Sequence, residues 1–335
     1  MSATKEKVLQ LLQESFDRFR SGQEISEKLS VTRASVWKAI RVLQKEGYRI
    51  EAVNNRGYRL ISSPDDLDAD KIRDYLMDYA KASSVLIPDA LFDSVHVFTE
   101  VDSTNTVVGR LCAPALVIAN RQTAGRGRRG RSFHSPAGSG IYMSLLLYPR
   151  NTTDLATGFT CMMAVAVCSA VLDILHTDLS IKWVNDLFLG DKKVCGILTE
   201  GNVSVEDNSV QSITIGMGLN VYPPRSGFPE ELQNVAGCLL DTNPEIPDLR
   251  NRLCAAILCS FFKIYNASDD SGFVKTYQKR SMLIGKRIKI TDFSDRSYRY
   301  AFVEGIDDKC HLCVRYEDGS RESLSSGEVS IAMDQ

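Results

Sequence analysis

Five arginines and three glycines share an eleven-residue stretch without any acidic side chain, Arg121–Arg131 (RQTAGRGRRGR). Arginine supplies forked donors that suit phosphate and carboxylate oxygens, and glycine lets the backbone come close to a ligand. We therefore expect a flexible cationic loop that binds a polyphosphate or an acyl phosphate. A basic surface patch that binds nucleic acid has the same composition, and the stretch alone does not distinguish the two.

Residues 125–130 of this stretch also satisfy the pattern G-x-G-x-x-G. In a dinucleotide-binding fold that pattern opens a helix and precedes an acidic residue by about 20 positions. Here the segment SFHSPAG (132–138) follows, which does not begin a helix. The stretch also lacks the G-K-[ST] ending of a P-loop. We therefore interpret it as neither kind of nucleotide motif.

A second stretch, Lys182–Glu200 (KWVNDLFLGDKKVCGILTE), has polar side chains between apolar strand-like runs. Asp186 follows the amide of Asn185, a pair that can coordinate Mg²⁺, and Lys192 or Lys193 can hold an anionic oxygen. The same residues also suit a turn and a solvated strand edge. Periodicity alone leaves both interpretations open.

The elements that surround these stretches begin with a basic head. Residues 1–60 contain 12 Lys and Arg against 7 Asp and Glu, whereas the rest of the chain has 28 against 35. This asymmetry indicates a nucleic-acid contact confined to the N-terminus. Apolar spacing and turn residues predict three helices and a hairpin: Lys5–Phe19, a helix from near Glu24, Arg33–Glu46 capped by Thr32, and strands Tyr48–Val53 and Tyr58–Ile61.

Two short helices joined by a tight turn indicate a helix-turn-helix, and the hairpin after them would be its wing. The candidate DNA-binding side chains lie on the second of these helices and at the wing tip: Arg33, Ser35, Trp37, Lys38 and Arg56. Groups of these types at the start of a recognition helix reach phosphates and base edges in a major groove. A three-helix packing module with a solvated face is the alternative.

Beyond a polar joint at residues 62–70, strands mixed with a few helices predict an α+β domain on a mostly antiparallel sheet. The predicted strands are Ser94–Glu100, Ala115–Asn120, Gly140–Leu147, Ser180–Val184, Lys192–Glu200 and Ser212–Val221, and the predicted helices are Ala69–Ala80, Leu155–Leu175 and Asp248–Tyr265. From about Ile284, five short strands predict a small β-barrel: Arg287–Asp292, Ser297–Gly305, His311–Tyr316, Ser320–Leu324 and Val329–Met333. The predicted domains are residues 1–63, 64–282 and 283–335.

Composition limits the class of protein further. Hydrophobic residues make up 44% and charged residues 24% of the 335, as in soluble domains with sizeable cores. We find no apolar run of about 18 residues and no secretory signal, so we expect a cytoplasmic protein without a membrane partner. The nine cysteines are scattered. The C-x-x-C pair Cys310 and Cys313 has no second pair nearby, so we interpret it as incidental instead of a zinc site.

Five motifs follow one another along the chain: TEVDSTN (99–105), RQTAGRGRRGR (121–131), SPAGSGIYMSLLL (135–147), KWVNDLFLGDKKVCGILTE (182–200) and IGMGLNV (215–221). In this order and at these spacings the chain resembles the biotin protein ligase family, specifically its bifunctional ligase–repressor members. The resemblance spans the whole chain. It implies a winged helix-turn-helix, a mixed α/β catalytic domain and a C-terminal SH3-like barrel.

The resemblance also implies a reaction and its partners. Biotin's carboxylate attacks the α-phosphate of ATP to give biotinyl-5′-AMP and pyrophosphate, and a lysine of the biotin carboxyl carrier protein then displaces AMP. Mg²⁺ accompanies this reaction. Operator DNA is the further partner, biotinyl-AMP is the corepressor, and the adenylate-bound chain forms a homodimer.

Family roles are carried over position by position. The biotin-binding residues would be Ser103, Thr104, Asn105, Gln122, Arg126, Gly127, Arg128 and Lys193. The adenylate-binding residues would be Gly125, Arg129, Gly130, Arg131, Phe133 and Asn220. The catalytic residues would be Arg126, Arg128, Lys193 and Asp186, with Asp186 binding Mg²⁺ or receiving the acceptor lysine's proton. A helix cap after Asp102 is a compatible alternative for the segment that starts at Ser103.

The chain departs from the family pattern at two places. Phe133, preceded by Ser132 instead of a basic residue, stands where many members have tryptophan, and Val184 stands where proline is usual; we expect both to be tolerated. The competing hypotheses are a lipoate-type ligase, a DNA-binding biotin sensor without ligase activity, and a ligase whose head no longer binds DNA. The arginine loop (residues 121–131) and the N-terminal head disfavour the lipoate-type ligase. Arg126, Arg128 and Lys193 disfavour the sensor without ligase activity.

Overall fold

The computed structural model describes nine stretches of the chain: residues 3–15, 18–45, 48–62, 65–149, 155–203, 210–241, 246–267, 271–291 and 297–331. The chain divides into two units, Met1–Asp66 with Ile246–Leu249, and Leu67–Glu245 with Arg250–Gln335. Some predicted boundaries lie outside the described residues: the first domain boundary between 63 and 64, the helix end at Glu46, and the strand ends at Asp292 and Met333.

The first unit has the predicted order of helices and strands: α1 (Ala3–Glu14), α2 (Gly22–Leu29), α3 (Arg33–Lys45), β1 (Arg49–Val53) and β2 (Gly57–Ser62). An apolar side of each helix packs into one shared core that includes Leu12, Ile25 and Val36. The predicted end of α1 at Phe19 is wrong, because the helix stops at Glu14; residues 16 and 17 lie outside the described chain.

Two local features fix the start of α3 and the turn of the hairpin. Thr32 Oγ1 accepts a hydrogen bond from the Ser35 amide at 3.1 Å, which confirms the predicted cap. The turn between β1 and β2 holds Gly57 at φ 100°, and a Cβ there would lie 2.0 Å from the Arg20 carbonyl oxygen. Only glycine tolerates both that conformation and that approach.

The second unit contains a seven-stranded sheet in the order β3-β4-β5-β9-β8-β7-β6. Its strands are β3 (Val95–Phe98), β4 (Ala115–Ala119), β5 (Gly140–Leu147), β6 (Ser180–Lys182), β7 (Asp186–Leu189), β8 (Lys192–Val203) and β9 (Val210–Asn220). Among the six pairings between the described strands of this sheet, that of β3 with β4 is parallel and the other five are antiparallel. The prediction of a mostly antiparallel sheet is therefore confirmed.

The strand β7 was not predicted: β6 was expected to extend to Val184, and Asn185 and Asp186 were left open as a Mg²⁺-binding pair or a turn. The structure ends β6 at Lys182 and pairs Lys182 with Asp186 directly across a tight turn. Apolar alternation cannot separate two strands that are only three residues apart, because the turn residues Trp183 and Val184 are themselves apolar and buried.

Helices flank the sheet in this unit: α4 (Ala69–Ser83), α5 (Asp89–Asp93), α6 (Thr104–Val108), α7 (Leu155–Leu175), α8 (Leu249–Tyr265, in this unit from Arg250) and α9 (Ser271–Arg280). Neither α5 nor α9 was predicted. The expectation that no apolar run is long enough to cross a membrane is wrong. The 20 residues Ala156–Leu175 of α7 are long and apolar enough to do so, by length and composition alone. However, most of this helix is buried, and α7 packs against β8 and α9, as a core helix does.

The C-terminal part of the second unit forms a five-stranded antiparallel sheet in the order β13-β12-β11-β10-β14. Its strands are β10 (Arg287–Thr291), β11 (Tyr298–Ile306), β12 (Leu312–Tyr316), β13 (Arg321–Leu324) and β14 (Glu328–Ile331). The five predicted strands are confirmed, and closure into a small barrel stays a prediction. Trp183 Nε1 donates to the Cys310 carbonyl at 2.9 Å, which ties the turn between β6 and β7 to this sheet.

Candidate functional site

Two neighbouring cavities lie where β7, β8 and β9 meet the arginine-rich segment 121–131. The larger cavity has a volume of about 280 Å³ and the smaller one of about 50 Å³. Five residues line both cavities: Gly127, Arg128, Phe133, Asn185 and Lys193. The two stretches that the sequence analysis singled out are therefore brought together at one site.

The structure places the predicted biotin-binding residues as one group. All eight line the smaller cavity: Ser103, Thr104, Asn105, Gln122, Arg126, Gly127, Arg128 and Lys193. Of the other predicted site residues, five line the larger cavity: Arg129, Arg131, Phe133, Asp186 and Asn220. Gly125 and Gly130 line neither.

The backbone of the arginine loop folds back on itself. The Gly127 amide donates to the Arg131 carbonyl at 2.7 Å, and the Phe133 amide donates to the Gly125 carbonyl at 2.8 Å. A Cβ on Gly125 would lie 2.5 Å from the Phe133 carbonyl oxygen. Gly125 lines neither cavity, but it allows two parts of the loop backbone to come close together. This contact explains why a glycine stands at position 125.

Two loop arginines reach side chains on the neighbouring strands. Arg128 Nη1 donates to Asn185 Oδ1 at 3.1 Å, and Asn185 in turn donates to the Ile197 carbonyl at 3.0 Å. Arg126 Nη2 lies 3.4 Å from Glu200 Oε1. The guanidinium groups of Arg126 and Arg128 therefore lie beside the cavities, in contact with Glu200 and Asn185.

Lys193 is the cation at the junction of the two cavities. Its Nζ lies 2.6 Å from Asp186 Oδ1 on β7, and both side chains are largely buried. The neighbouring Lys192 points elsewhere, because its Nζ donates to the Asn234 carbonyl at 2.9 Å. Of these two lysines, Lys193 is the one whose position suits an anionic ligand.

A polar network surrounds the smaller cavity. The Thr104 amide donates to Gln122 Oε1 at 2.9 Å, and Gln122 Nε2 donates to Ser135 Oγ at 2.9 Å. Ser103 is the residue before α6, so the segment does begin a helix as the alternative expected, and the Ser103 amide donates to Asp102 Oδ1 at 2.7 Å. The Ser103 side chain makes no capping hydrogen bond.

Phe133 packs on a strip of sheet that lacks side chains. Gly196 and Gly218 are paired across β8 and β9, and a Cβ on Gly218 would lie 2.4 Å from Phe133 Cε1. The ring of Phe133 also lies near Tyr142, at 6.4 Å between centroids in an edge-on arrangement. Burial raises the pKa of the Tyr142 phenol to about 12, so it stays neutral beside the site.

The remaining predicted groups have structural contacts of their own. Asn220 Nδ2 donates to the Gly237 carbonyl at 3.0 Å at the edge of the larger cavity. Cys195 also lines that cavity, and burial raises the pKa of its thiol well above the usual range, which makes it a poor nucleophile. Cys310 is buried, and among the described residues no group of three His, Cys, Asp or Glu side chains could hold a metal ion.

The candidate DNA-binding residues all lie in the first unit. Arg33, Trp37 and Lys38 are exposed on α3, with 57% of Trp37 accessible, whereas Ser35 is half-buried and bonds to Thr32 at the helix start. Arg56 is exposed at the hairpin turn, with its guanidinium 4.3 Å from the ring centroid of Phe19. The outer side of α3 therefore presents two cations and an aromatic ring.

The site also contains residues that the sequence analysis did not single out. Glu200 and Ser144 bond to Asn105 from opposite sides, at 2.6 Å each. Gly216 leaves room for that side chain, because a Cβ there would lie 2.1 Å from Asn105 Oδ1. The quoted motifs contain all three residues, but nothing in their types marks them as neighbours of Asn105.

Comparison with known proteins gives three family matches along the chain. Residues 4–59 match an HTH domain, residues 97–220 match the Biotin/lipoate A/B protein ligase family, and residues 283–331 match the Biotin protein ligase C terminal domain. The chain is 33% identical to the Bifunctional ligase/repressor BirA of Bacillus subtilis, over 97% of this chain and 98% of that protein. It is 28% identical to the BirA of Escherichia coli, over 93% of each.

Solved structures give the same similarity for part of the chain. The biotin protein ligase from Aquifex aeolicus in complex with biotin and ATP superposes with a TM-score of 0.60 at 25% identity. The match covers 72% of this chain and all of that one. Both kinds of comparison thus converge on one family, and that family is the one suggested by the five sequence motifs.

Proposed function

The chain belongs to the biotin protein ligase family, and we propose that it is a bifunctional ligase and repressor. It activates biotin with ATP, transfers it to a carrier protein, and regulates transcription through its N-terminal domain. The observation that carries this proposal is the 33% identity to bifunctional ligase/repressors across 97% of the chain. The site supports this proposal, because Lys193 and residues of the arginine loop line both cavities and suit two anionic substrates.

The chemistry demands fixed cations. A carboxylate oxygen of biotin forms a bond to the α-phosphorus of ATP, the bond to the bridging oxygen breaks, and pyrophosphate leaves. The two reactants are anions, so their repulsion has to be offset by positive groups in a site that excludes water. Lys193, Arg126 and Arg128 line the smaller cavity and are the groups we assign to this task.

The second step needs a proton acceptor. The amine of the carrier lysine attacks the acyl carbon of biotinyl-5′-AMP, an amide forms, AMP leaves, and one proton is released. We assign the smaller cavity to biotin and the larger one to the adenylate, with Phe133 between them stacking on adenine. Asp186 is the acidic residue among those that line the larger cavity, and it lies beside Lys193, which suits it to receive that proton.

Magnesium enters this proposal with the nucleotide. Mg²⁺ requires several oxygen ligands, which one or two carboxylates and substrate phosphates usually supply. Asp186 Oδ1 is already paired with Lys193 at 2.6 Å, and Asn185 Oδ1 accepts from Arg128. These contacts give Asp186 a second role, in holding Lys193, and we therefore treat Mg²⁺ as part of the substrate MgATP and assign it no ligand from the protein.

The repressor activity is assigned to the first unit. Its helix α3 exposes Arg33, Trp37 and Lys38, and one such recognition helix in the described part of the chain suits one half of a two-fold operator. We propose that biotinyl-AMP promotes dimerisation and so pairs two such helices. Sedimentation with and without the adenylate tests this step: an adenylate-bound chain that stays monomeric at micromolar concentration would contradict it.

The finer domain organisation is part of the proposal. We place a winged helix-turn-helix in residues 1–63, the ligase domain in 64–282 and an SH3-like barrel in 283–335, and the three family matches fall within these limits. We expect the protein to act in the cytoplasm, where both the carrier protein and DNA are available.

A direct assay separates this proposal from the competing ones. The purified chain is mixed with MgATP, a biotin carboxyl carrier domain and either labelled biotin or labelled lipoate. We expect ATP-dependent transfer of biotin alone. Transfer of lipoate would indicate the related ligase activity, and binding of biotin without transfer would indicate a sensor. A mobility shift on operator DNA, stronger with biotinyl-AMP, tests the repressor half.

A further inference from the structure

One carboxylate links the two sides of the smaller cavity. Glu200 Oε2 accepts a hydrogen bond from Asn105 Nδ2 at 2.6 Å, and Glu200 Oε1 lies 3.4 Å from Arg126 Nη2. Asn105 belongs to α6, whereas Arg126 belongs to the arginine loop. Glu200 on β8 is therefore in contact with α6 and with the arginine loop, two of the elements that line the cavity.

A β-bulge gives Glu200 this position. Side chains alternate strictly between the two faces of a regular strand, so residues seven apart, such as Lys193 and Glu200, would point to opposite faces. The register of β8 against β7 shifts between Lys193 and Cys195, where one additional residue is inserted. Because such a bulge reverses the alternation beyond it, Lys193 and Glu200 share the face that carries the site.

Glu200 also determines how Asn105 presents its amide group. An ionised carboxylate can only accept hydrogen bonds, so the NH₂ of Asn105 has to face Glu200. Ser144 Oγ donates to Asn105 Oδ1 at 2.6 Å on the other side. The two hydrogen bonds hold the Asn105 amide in a single orientation. A ligand in the smaller cavity therefore contacts Asn105 in that orientation.

We propose that Glu200 is a positioning residue for biotin binding, acting through Asn105 and through Arg126. This inference rests on the proposed function, since it takes biotin as the ligand of the smaller cavity. Its acceptor oxygen orients Asn105, and its charge holds the arginine loop against β8 before substrate binds. The side chain of Glu200 is 38% exposed, so solvent weakens the ion pair and the effect on the loop is the smaller one.

Three variants separate the two contacts. Glu200→Gln keeps an oxygen acceptor for Asn105 but removes the charge that faces Arg126, whereas Glu200→Ala removes both. Glu100→Gln is the matched control, because Glu100 forms an exposed ion pair at 2.6 Å with Arg121 at the start of the same loop. Thermal unfolding of each variant shows that it is folded before binding is compared.

The first readout is biotin binding and turnover by the full-length chain. We expect Glu200→Ala to weaken biotin binding and raise KM for biotin about tenfold, with kcat at saturating biotin and KM for ATP close to wild type. Glu200→Gln should restore biotin affinity to near the wild-type value, and Glu100→Gln should not change it. Wild-type affinity in Glu200→Ala, or no rescue by Glu200→Gln, would overturn the role assigned to the acceptor oxygen.

The second readout needs no ligand. Trypsin cleaves after arginine, so the rate of cleavage after Arg128 and Arg129 in the ligand-free chain reports how firmly the loop is held. We expect cleavage to be about two- to fivefold faster in both Glu200 variants and unchanged in Glu100→Gln. A factor of this size corresponds to the free energy of one exposed ion pair. Equal rates would overturn the role of the charge. A wild-type chain that does not bind biotin would refute the proposed function, and the trypsin rates would still decide whether Glu200 holds the loop.

Discussion

Lys193 Nζ lies 2.6 Å from Asp186 Oδ1, across the pairing of β7 with β8 and at the junction of the two cavities. An ammonium group on a flexible four-carbon stem is otherwise free to rotate. The ion pair with Asp186 holds the ammonium group of Lys193 at a position that lines both cavities. In the proposed reaction this is the place where the carboxylate of one substrate meets the phosphate of the other.

Replacement of Asp186 by asparagine tests whether this pairing matters. Asn keeps the shape of the side chain but removes its charge, so Lys193 is held less firmly when charge develops on the phosphate. We expect kcat for biotin transfer to fall roughly tenfold, less than the loss from removing a charge-stabilising donor itself, with biotin affinity little changed. Asp191→Asn, at an exposed position in the turn between β7 and β8, is the control; an unchanged kcat in Asp186→Asn would contradict the assignment.

Arg128 is expected to retain the intermediate. It reaches Asn185 from the arginine loop at 3.1 Å and lines both cavities, and a charged donor to a phosphate or carboxylate is stronger than a neutral one. Arg128→Ala should release biotinyl-AMP about tenfold faster, while the free energy of unfolding changes by less than about 1 kcal/mol.

Rapid dilution of the adenylate complex measures the dissociation rate for Arg128→Ala. Arg121→Ala is its control, since Arg121 starts the same loop but pairs with Glu100 on the protein surface. Release at the wild-type rate from Arg128→Ala would show that this guanidinium does not hold the intermediate.

The paired glycines Gly196 and Gly218, on which the Phe133 ring packs, give a prediction about packing. A Cβ at Gly218 would lie 2.4 Å from the Phe133 ring, so Gly218→Ala has to displace that ring. We expect a loss of about 1–3 kcal/mol in the free energy of unfolding and weaker nucleotide binding. Gly201→Ala on β8 is the matched control, because its nearest neighbour would be 3.9 Å away.

A double-mutant cycle makes the packing prediction specific. If the clash with Phe133 causes the destabilisation, Phe133→Ala combined with Gly218→Ala costs less than the two single variants together. Denaturant unfolding of the four proteins gives the coupling energy. Strict additivity would mean that the alanine methyl group meets something other than the ring.

Local patterns in the sequence predicted most of the framework. The cap at Thr32, the boundaries of β5 at Gly140 and Leu147, and the full length of α7 follow from residues that are close together in the chain. The same is true of the five C-terminal strands. Turn, cap and periodicity signals act over a few residues, so a sequence without homologues is sufficient for them.

What the sequence could not predict depends on register. Glu200 joins the site because of a bulge next to Lys193, and strict alternation would have assigned it to the other face. The contact of Ser144 with Asn105 joins β5 to a helix 39 residues earlier in the chain. The resemblance to a family supplied the grouping of Ser103, Gln122 and Lys193, which spacing alone does not imply.

Trp37 is the most informative residue for the repressor half. It is 57% exposed on α3 beside Arg41, whose guanidinium lies 5.9 Å from the indole centroid. An exposed apolar side chain on a recognition helix can contact a thymine methyl group in the major groove. Trp37→Ala should weaken operator binding about tenfold, without a change in thermal stability or in biotin transfer.

Val42→Ala is the matched control for Trp37→Ala, because Val42 is an exposed apolar residue of the same helix. A mobility-shift titration at a fixed salt concentration compares the two variants with the wild type. Equal operator affinity in Trp37→Ala and wild type would place the DNA contact on other residues of α3 or on the hairpin.

The most direct test of the central claim is transfer of labelled biotin to a carrier lysine, with MgATP and a biotin carboxyl carrier domain, by wild type, Lys193→Ala and Lys192→Ala. Lys192 is the adjacent control, since its Nζ bonds to the Asn234 carbonyl and does not face the cavities. We predict ATP-dependent transfer by the wild type and by Lys192→Ala, and a loss of about 100-fold or more in Lys193→Ala. Transfer by Lys193→Ala at the wild-type rate would contradict the site, and a wild type that transfers no biotin would contradict the function.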